Sequence, residues 1–297
     1  MSESQRLAVE EMLRASPDLD SLPPQELRIV YEPTGQLTPV DDSVRHESIM
    51  IGNVPAEIGC ATGSDNSKTI LYFHGGGYMI GSLQTHRGLV ALLGQAAGVR
   101  TLAVDYRLAP EHPYPAASDD ATQAYRWLLD GGAPPSSIVF AGDSAGGGLA
   151  LATLLRARDE GLPLPAAAAL FSPLTDLGCT GASMRDKMHE DVLVTENITR
   201  MMASAYLGNT DPKTPYASPL FGDLTGLPPT LIHVGSSEVL LDDSIRLLRA
   251  LGIANVPTKL RLWAKLPHVW QLYSGLLDEG RESLTEAGLF LKDHLDS

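Results

Sequence analysis

The run Gly142-Asp143-Ser144-Ala145-Gly146 constrains this chain more than any other feature. Before it stands Ser137-Ile138-Val139-Phe140-Ala141, an apolar stretch with the β-branched and aromatic content of a buried strand. After it, Gly147 to Glu160 carries Leu149, Leu154 and Leu155 at helical spacing. A strand that passes through Gly-x-Ser-x-Gly directly into a helix turns too tightly for a Cβ at the flanking positions, and it strains the serine backbone. Such a turn lifts Ser144 Oγ clear of the sheet. It also aims the Ala145 N–H, and the positive end of the helix, at the point where an oxyanion would form. An ordinary Gly-rich turn or a phosphate loop shares the bare pattern; the strand before and the helix after favour a nucleophilic serine.

A second motif points the same way. Thr69-Ile70-Leu71-Tyr72-Phe73 reads as a short strand and ends in His74-Gly75-Gly76-Gly77. Three consecutive glycines leave backbone N–H groups uncovered, as an oxyanion hole requires, although glycine clusters also occur in plain flexible loops. The run lies about 70 residues before the serine turn, and the two motifs together make a chance match improbable.

A chain of 297 residues fits one α/β domain with an insertion better than two equal domains. A formal net charge of −14 argues against nucleic acid and against anionic membrane surfaces as partners, since both need a basic footprint. No run approaches the length of a membrane span, and the polar start Met1-Ser2-Glu3-Ser4-Gln5-Arg6 shows no signal peptide. Cys60 and Cys179 suit a reducing compartment as two unpaired, packed thiols. A cytoplasmic protein without metal or other cofactor is the expectation.

Strand-like runs at 69–73, 100–104, 137–142, 166–171, 230–235 and 259–263 alternate with helix-like runs near 86–97, 116–130, 144–160, 242–252 and 281–295. Two further strands, 45–51 and 54–60, are joined through Gly52-Asn53, a tight-turn pair. Alternation with near-continuous apolar strands predicts the α/β class, with a mostly parallel sheet covered on both faces. Residues 1–40 offer one weakly apolar helix face through Leu7, Met12 and Leu13, which the Pro23-Pro24 pair breaks. Between about Cys179 and Ser218 no strand is expected. This insertion carries Met184, Met188, Met201 and Met202, and a helix from Glu196 to Tyr206. We expect residues 1–40 and 179–218 to form a helical cap over a catalytic domain of residues 41–178 and 219–297. The methionines either line an adaptable acyl pocket or simply pack.

A serine nucleophile needs a base within hydrogen-bond reach and an acid to orient it, in the chain order Ser, Asp or Glu, His. Of the histidines after Ser144, His189 precedes the acid positions, His233 sits inside a strand, and His294 lies in a polar terminal helix. His268 follows the last strand, in Leu266-Pro267-His268-Val269-Trp270, where parallel sheets place their chemistry. Glu238 comes first after the strand at 230–235 and is the candidate acid. Asp242, one helical turn later, and Asp176 are its alternatives.

The chain resembles the bacterial hormone-sensitive-lipase-like, or family IV, carboxylesterases. The resemblance rests on His74-Gly75-Gly76-Gly77-Tyr78, on Asp105-Tyr106-Arg107-Leu108-Ala109-Pro110-Glu111-His112 and on Gly142 to Gly147, and it covers nearly the whole chain. It implies an α/β-hydrolase fold with an eight-stranded sheet and a two-part helical cap, no metal, and frequent homodimers. It also implies Ser144 as nucleophile, His268 as base, and the N–H groups of Gly76, Gly77 and Ala145 as the oxyanion hole. Where the group has D-P-L-x-D this chain has Glu238-Val239-Leu240-Leu241-Asp242, with Glu for Asp and Val for Pro. Asp105, Arg107, Glu111 and His112 read as a buried ion-pair and hydrogen-bond scaffold under the oxyanion loop.

The expected activity is hydrolysis of short-to-medium acyl carboxylic esters, with a small-molecule ester as the substrate. A ligand receptor on the same fold would lack the catalytic histidine. An amidase, deacetylase or lactonase would share the site, and a true lipase would need a large apolar lid. The strand from Lys259 to Trp263 is expected at a sheet edge, free to pair in a homodimer unless Lys259 and Arg261 protect it.

Overall fold

The computed structural model describes residues 3–17 and 19–296. Its centre is one eight-stranded sheet in the order β1-β2-β4-β3-β5-β6-β7-β8. The strands are β1 (Val44–Ile51), β2 (Val54–Ala61), β3 (Asp65–Phe73), β4 (Val99–Val104), β5 (Ile138–Asp143), β6 (Ala168–Phe171), β7 (Thr230–Gly235) and β8 (Thr258–Trp263). β1 pairs with β2, and β2 with β4, antiparallel; all other neighbours are parallel. The sheet is therefore mostly parallel, as the alternation predicts, and β8 forms one edge.

The two-residue period of the central strands divides the interior into two cores. Leu71, Phe73, Phe140, Ala168 and Leu170 face one side. There they meet α4 (Ala116–Asp130), α5 (Ala145–Asp159) and α8 (Leu241–Ile253). Ile70, Tyr72, Val139, Ala141 and Phe171 face the other. There they meet α1 (Glu3–Arg14), α3 (Leu83–Ala97) and α9 (Asp278–Leu295). β5 is buried at every position, as a central parallel strand must be.

Two segments lie outside this sandwich. The first contains α2 (Pro24–Tyr31), and the second contains α6 (Ser183–Asp186) and α7 (Glu196–Leu207). Leu27 of α2, Met79 and Ile80 from the loop after β3, and Ile198 and Met202 of α7 form a small third cluster above the carboxyl ends of the strands. Pro23-Pro24 does more than break a helix: Pro24 occupies the first turn of α2, where a missing N–H costs nothing. α3 begins three residues before the expected start, because Ser82 and Thr85 form a reciprocal capping box.

The expected scaffold at 105–112 needs correction. Tyr106 supports the loop after β3: its hydroxyl donates to His74 O at 2.7 Å and its ring stacks on His74 at 4.3 Å. Arg107 is half-exposed and forks onto buried Asp120 instead. Glu111 and His112 are exposed. Glu111 pairs with Arg28 of α2, tying the N-terminal segment to the body. A charge pair this close to solvent keeps its hydration, so the chain does not need to bury it.

Candidate active site

Ser144 stands at the crest of the turn between β5 and α5 with φ 51° and ψ −122°, a sparsely populated conformation. The flanking glycines permit it. A Cβ on Gly142 would lie 2.4 Å from Gly146 O, and one on Gly146 would lie 2.0 Å from Phe73 O. The Ser144 N–H donates to Phe171 O at 2.8 Å and its carbonyl accepts the Leu174 N–H at 2.9 Å, so β6 and the loop after it hold the turn.

His268 reaches this serine from the loop after β8. Its Nε2 is 2.9 Å from Ser144 Oγ and its Nδ1 is 2.7 Å from Glu238 Oε2. A carboxylate only accepts, so Nδ1 carries the proton and Nε2 is free to accept from the serine hydroxyl. The other carboxylate oxygen, Oε1, accepts the Gly235 N–H at 2.6 Å and the Ser172 hydroxyl at 2.8 Å. Glu238 is fully buried, with both oxygens occupied.

The alternative residues sit elsewhere. Asp242 accepts the Ser183 N–H, and Asp176 accepts from Thr180 and Arg246. His189 is exposed. His233 is buried in β7 against Ser283, and His294 bonds the Phe290 carbonyl on α9.

Burial works against charge on His268. The hydrogen bond to Glu238 and its charge, with Asp191 and Asp143 further away, outweigh that and hold the imidazolium above the ordinary histidine range. His74 is the opposite case: burial, then the neighbouring charge of His86, lowers it to about 4, so it is neutral.

The loop after β3 passes beside the serine. Gly76 has φ 110° and Gly77 φ 60°, and a Cβ on Gly76 would lie 2.3 Å from Ile80 O. Among the described residues, none accepts a hydrogen bond from the N–H of Gly76 or Gly77. The Ala145 N–H opens α5 and has no intrahelical partner. Gly76, Gly77, Ser144 and His268 line one cavity of about 80 Å³. Its walls include Leu19 and Tyr31 of the N-terminal segment and Leu193, Val194, Ile198 and Met202 of the insertion. The methionines divide: Met202 faces the cavity, Met184 packs in the main core and Met188 is exposed.

Residues around the site that the motifs did not reveal include Asp143, which accepts from Tyr72 Oη at 2.6 Å and from the Gly75 N–H at 3.0 Å and contacts His86 Nε2 at 3.2 Å. Asp143 thereby ties the loop after β3 to the serine turn. Burial raises its pKa, but His86 and the hydrogen bonds outweigh that and lower it. Its place inside Gly-x-Ser-x-Gly was the only sequence signal. Asp191, which accepts the Val239 N–H, had none.

A family profile for the alpha/beta hydrolase fold matches residues 70–272. An acetyl-hydrolase of Streptomyces hygroscopicus is 50% identical over 76% of this chain and 76% of its own length. An esterase of Acinetobacter venetianus is 36% identical over 95% of this chain and 94% of its own. Among solved structures, an esterase from the bacterial hormone-sensitive lipase family superposes with a TM-score of 0.95 at 41% identity, covering 99% of both chains. EstE5 soaked with p-nitrophenyl butyrate superposes with a TM-score of 0.95 at 40% identity over 100% of both. A mostly parallel eight-stranded sheet, a serine on a strained strand-to-helix turn and relatives that span the chain agree: it belongs to the α/β-hydrolase-fold family and, within it, to the hormone-sensitive-lipase-like carboxylesterases.

Proposed function

We propose that this carboxylic ester hydrolase acts on short-to-medium acyl esters through a serine acyl-enzyme, with Ser144, His268 and Glu238 as its triad. The observation that carries the reading is the continuous pair of hydrogen bonds, 2.9 Å from His268 Nε2 to Ser144 Oγ and 2.7 Å from His268 Nδ1 to Glu238. As Oγ attacks the ester carbonyl, His268 takes its proton. The N–H groups of Gly76, Gly77 and Ala145 receive the developing oxyanion, each donor worth about two to three decades in rate. His268 then protonates the departing alcohol and activates the water that releases the acid. Glu238 keeps the imidazole in the productive tautomer and stabilises its charged form.

Residues 1–40 and 179–218 serve as the cap, because both supply walls to the cavity over Ser144. A cavity of about 80 Å³ favours a short acyl chain. The acetyl-hydrolase relative and the neighbour soaked with p-nitrophenyl butyrate support the same range. A homodimer through β8 also belongs to this reading. The charged groups there are engaged with their own subunit: Arg261 with Glu282 and Glu286 of α9, and Lys259 over the Phe290 ring.

Ser144→Ala tests the mechanism. It should abolish hydrolysis of a p-nitrophenyl ester with the fold intact, and a serine-directed organophosphonate should label Ser144 in the wild type. Ordinary turnover by the variant would refute it.

A further inference from the structure

Glu238 is held by more than its own side chain. The next residue, Val239, is fully buried and has both backbone groups bound by side chains of the insertion. Its N–H donates to Asp191 Oδ2 at 2.9 Å, and its carbonyl accepts the Ser183 hydroxyl at 2.5 Å. The same hydroxyl accepts the Asp242 N–H at 2.9 Å, and the Ser183 N–H donates to Asp242 at 3.0 Å. Asp191 also works in the opposite direction. Its Oδ1 accepts the N–H groups of Leu193 and Val194, at 3.0 and 2.9 Å, and both of those residues line the cavity over Ser144. Thus one carboxylate joins the cavity wall to the loop that carries Glu238.

The Oδ1 bonds alone are an ordinary local turn, in which an Asp side chain satisfies N–H groups two and three residues on. The Oδ2 bond is different, because it spans 48 residues and ends on the neighbour of Glu238. Val239 needs such a partner. A proline at this position would have no N–H, whereas a buried valine N–H without an acceptor is costly.

We propose that Asp191 and Ser183 are positioning residues for the reaction, clamping Val239 so that Glu238 stays in register with His268. The insertion then both walls the substrate cavity and aligns the triad. This rests on the reading of Glu238 as the residue that orients His268. A displacement of about 1 Å at a reacting group costs on the order of 10²-fold in rate, and the 2.7 Å bond from Glu238 to His268 tolerates little movement.

Asp191 also contributes charge. Burial pushes its carboxyl up to about 6, opposed by His268 and by the three N–H donors. The charged and titratable groups around it are His268 and Tyr273 from the chain after β8, with Arg14 and Asp20 on the adjoining cavity of about 260 Å³ that Asp191 also borders. Its negative charge is one of those that favour the His268 imidazolium.

The test is steady-state hydrolysis of p-nitrophenyl butyrate across pH by Asp191→Asn, Ser183→Ala and Glu238→Gln, with thermal unfolding of each. Asp191→Asn and Ser183→Ala should each lower kcat about 10-fold or more, with KM within about twofold. The acid limb of kcat/KM should move to lower pH in Asp191→Asn, a shift that a merely structural residue would not produce. If Asp191→Asn fails to fold, Ser183→Ala decides alone, since it removes one hydroxyl. Unchanged kcat in both variants, or a loss confined to KM, would overturn the clamp and leave Asp191 as a support of the cavity wall. Glu238→Gln separates the two readings: if it costs decades while both clamp variants keep their kcat, the triad stands without the clamp. If Glu238→Gln itself costs little, the triad assignment fails first.

Discussion

Glu238→Gln should be more damaging than the loss of one charge suggests, and the hydrogen bonds say why. Gln has one acceptor oxygen where Glu has two. At the inner end the Gly235 N–H, 2.6 Å away, is a fixed donor, and the Ser172 hydroxyl at 2.8 Å donates there as well. The amide oxygen is therefore drawn inward. The NH2 group is left facing His268 Nδ1, 2.7 Å from where Oε2 stood. That nitrogen must then accept, which moves the imidazole proton to Nε2 and turns a donor toward Ser144 Oγ. In this tautomer His268 cannot take the serine proton. The corresponding Asp-to-Asn change in a serine protease costs about 10⁴ in kcat. We expect 10³–10⁴ here, about 4–5.5 kcal/mol at 1.36 kcal/mol per decade. The assay is kcat on p-nitrophenyl butyrate, with thermal unfolding as a control. The variant also removes the main charge that raises His268, so residual activity should keep its acid limb at lower pH than the wild type. Asp242→Asn, which does not touch His268, should lose far less. A Glu238→Gln enzyme within tenfold of wild type, or one less impaired than Asp242→Asn, would refute the reasoning.

Four further outcomes are expected. On p-nitrophenyl esters, kcat/KM should rise from acetyl to about butyryl or hexanoyl, by up to about fourfold per methylene buried at ~0.8 kcal/mol each, and then fall steeply. Met202→Ala should move the optimum to longer chains, and a palmitoyl preference in the intact enzyme would rule out the small cavity. His233 is lowered to about 3, by burial and then by Arg261, while an unfolded histidine titrates near 6.5. Its contribution is therefore present above about pH 6.5 and is lost as pH falls toward 3; the wild type's stability advantage over His233→Gln should shrink by about 2–3 kcal/mol between pH 7 and 4.5 in denaturant titrations. Light scattering should give twice the 31.7 kDa chain mass at micromolar concentration; a monomer mass throughout would remove the dimer.

What the amino-acid order determined alone was local. Gly142 to Gly146 and His74 to Gly77 specify their backbones through residues that permit close approach or positive φ, and each motif is contiguous. His268 and Glu238 were legible because an alternating β/α chain brings its post-strand loops to one end of the sheet, whichever strands lie between. Asp143 and Asp191 were not legible as partners of those loops. Nothing near Asp191 announces a bond to Val239, and nothing near Asp143 announces one to Gly75. The same holds for Arg28 and Glu111, 83 residues apart, and for the cavity walls at Leu19 and Tyr31. These contacts exist because β3 is seated between β4 and β5 and because two segments close over the strand ends. Such juxtapositions follow from the pairing of strands and the burial of apolar faces summed over the whole chain, so only the tertiary structure could decide which side chains meet there.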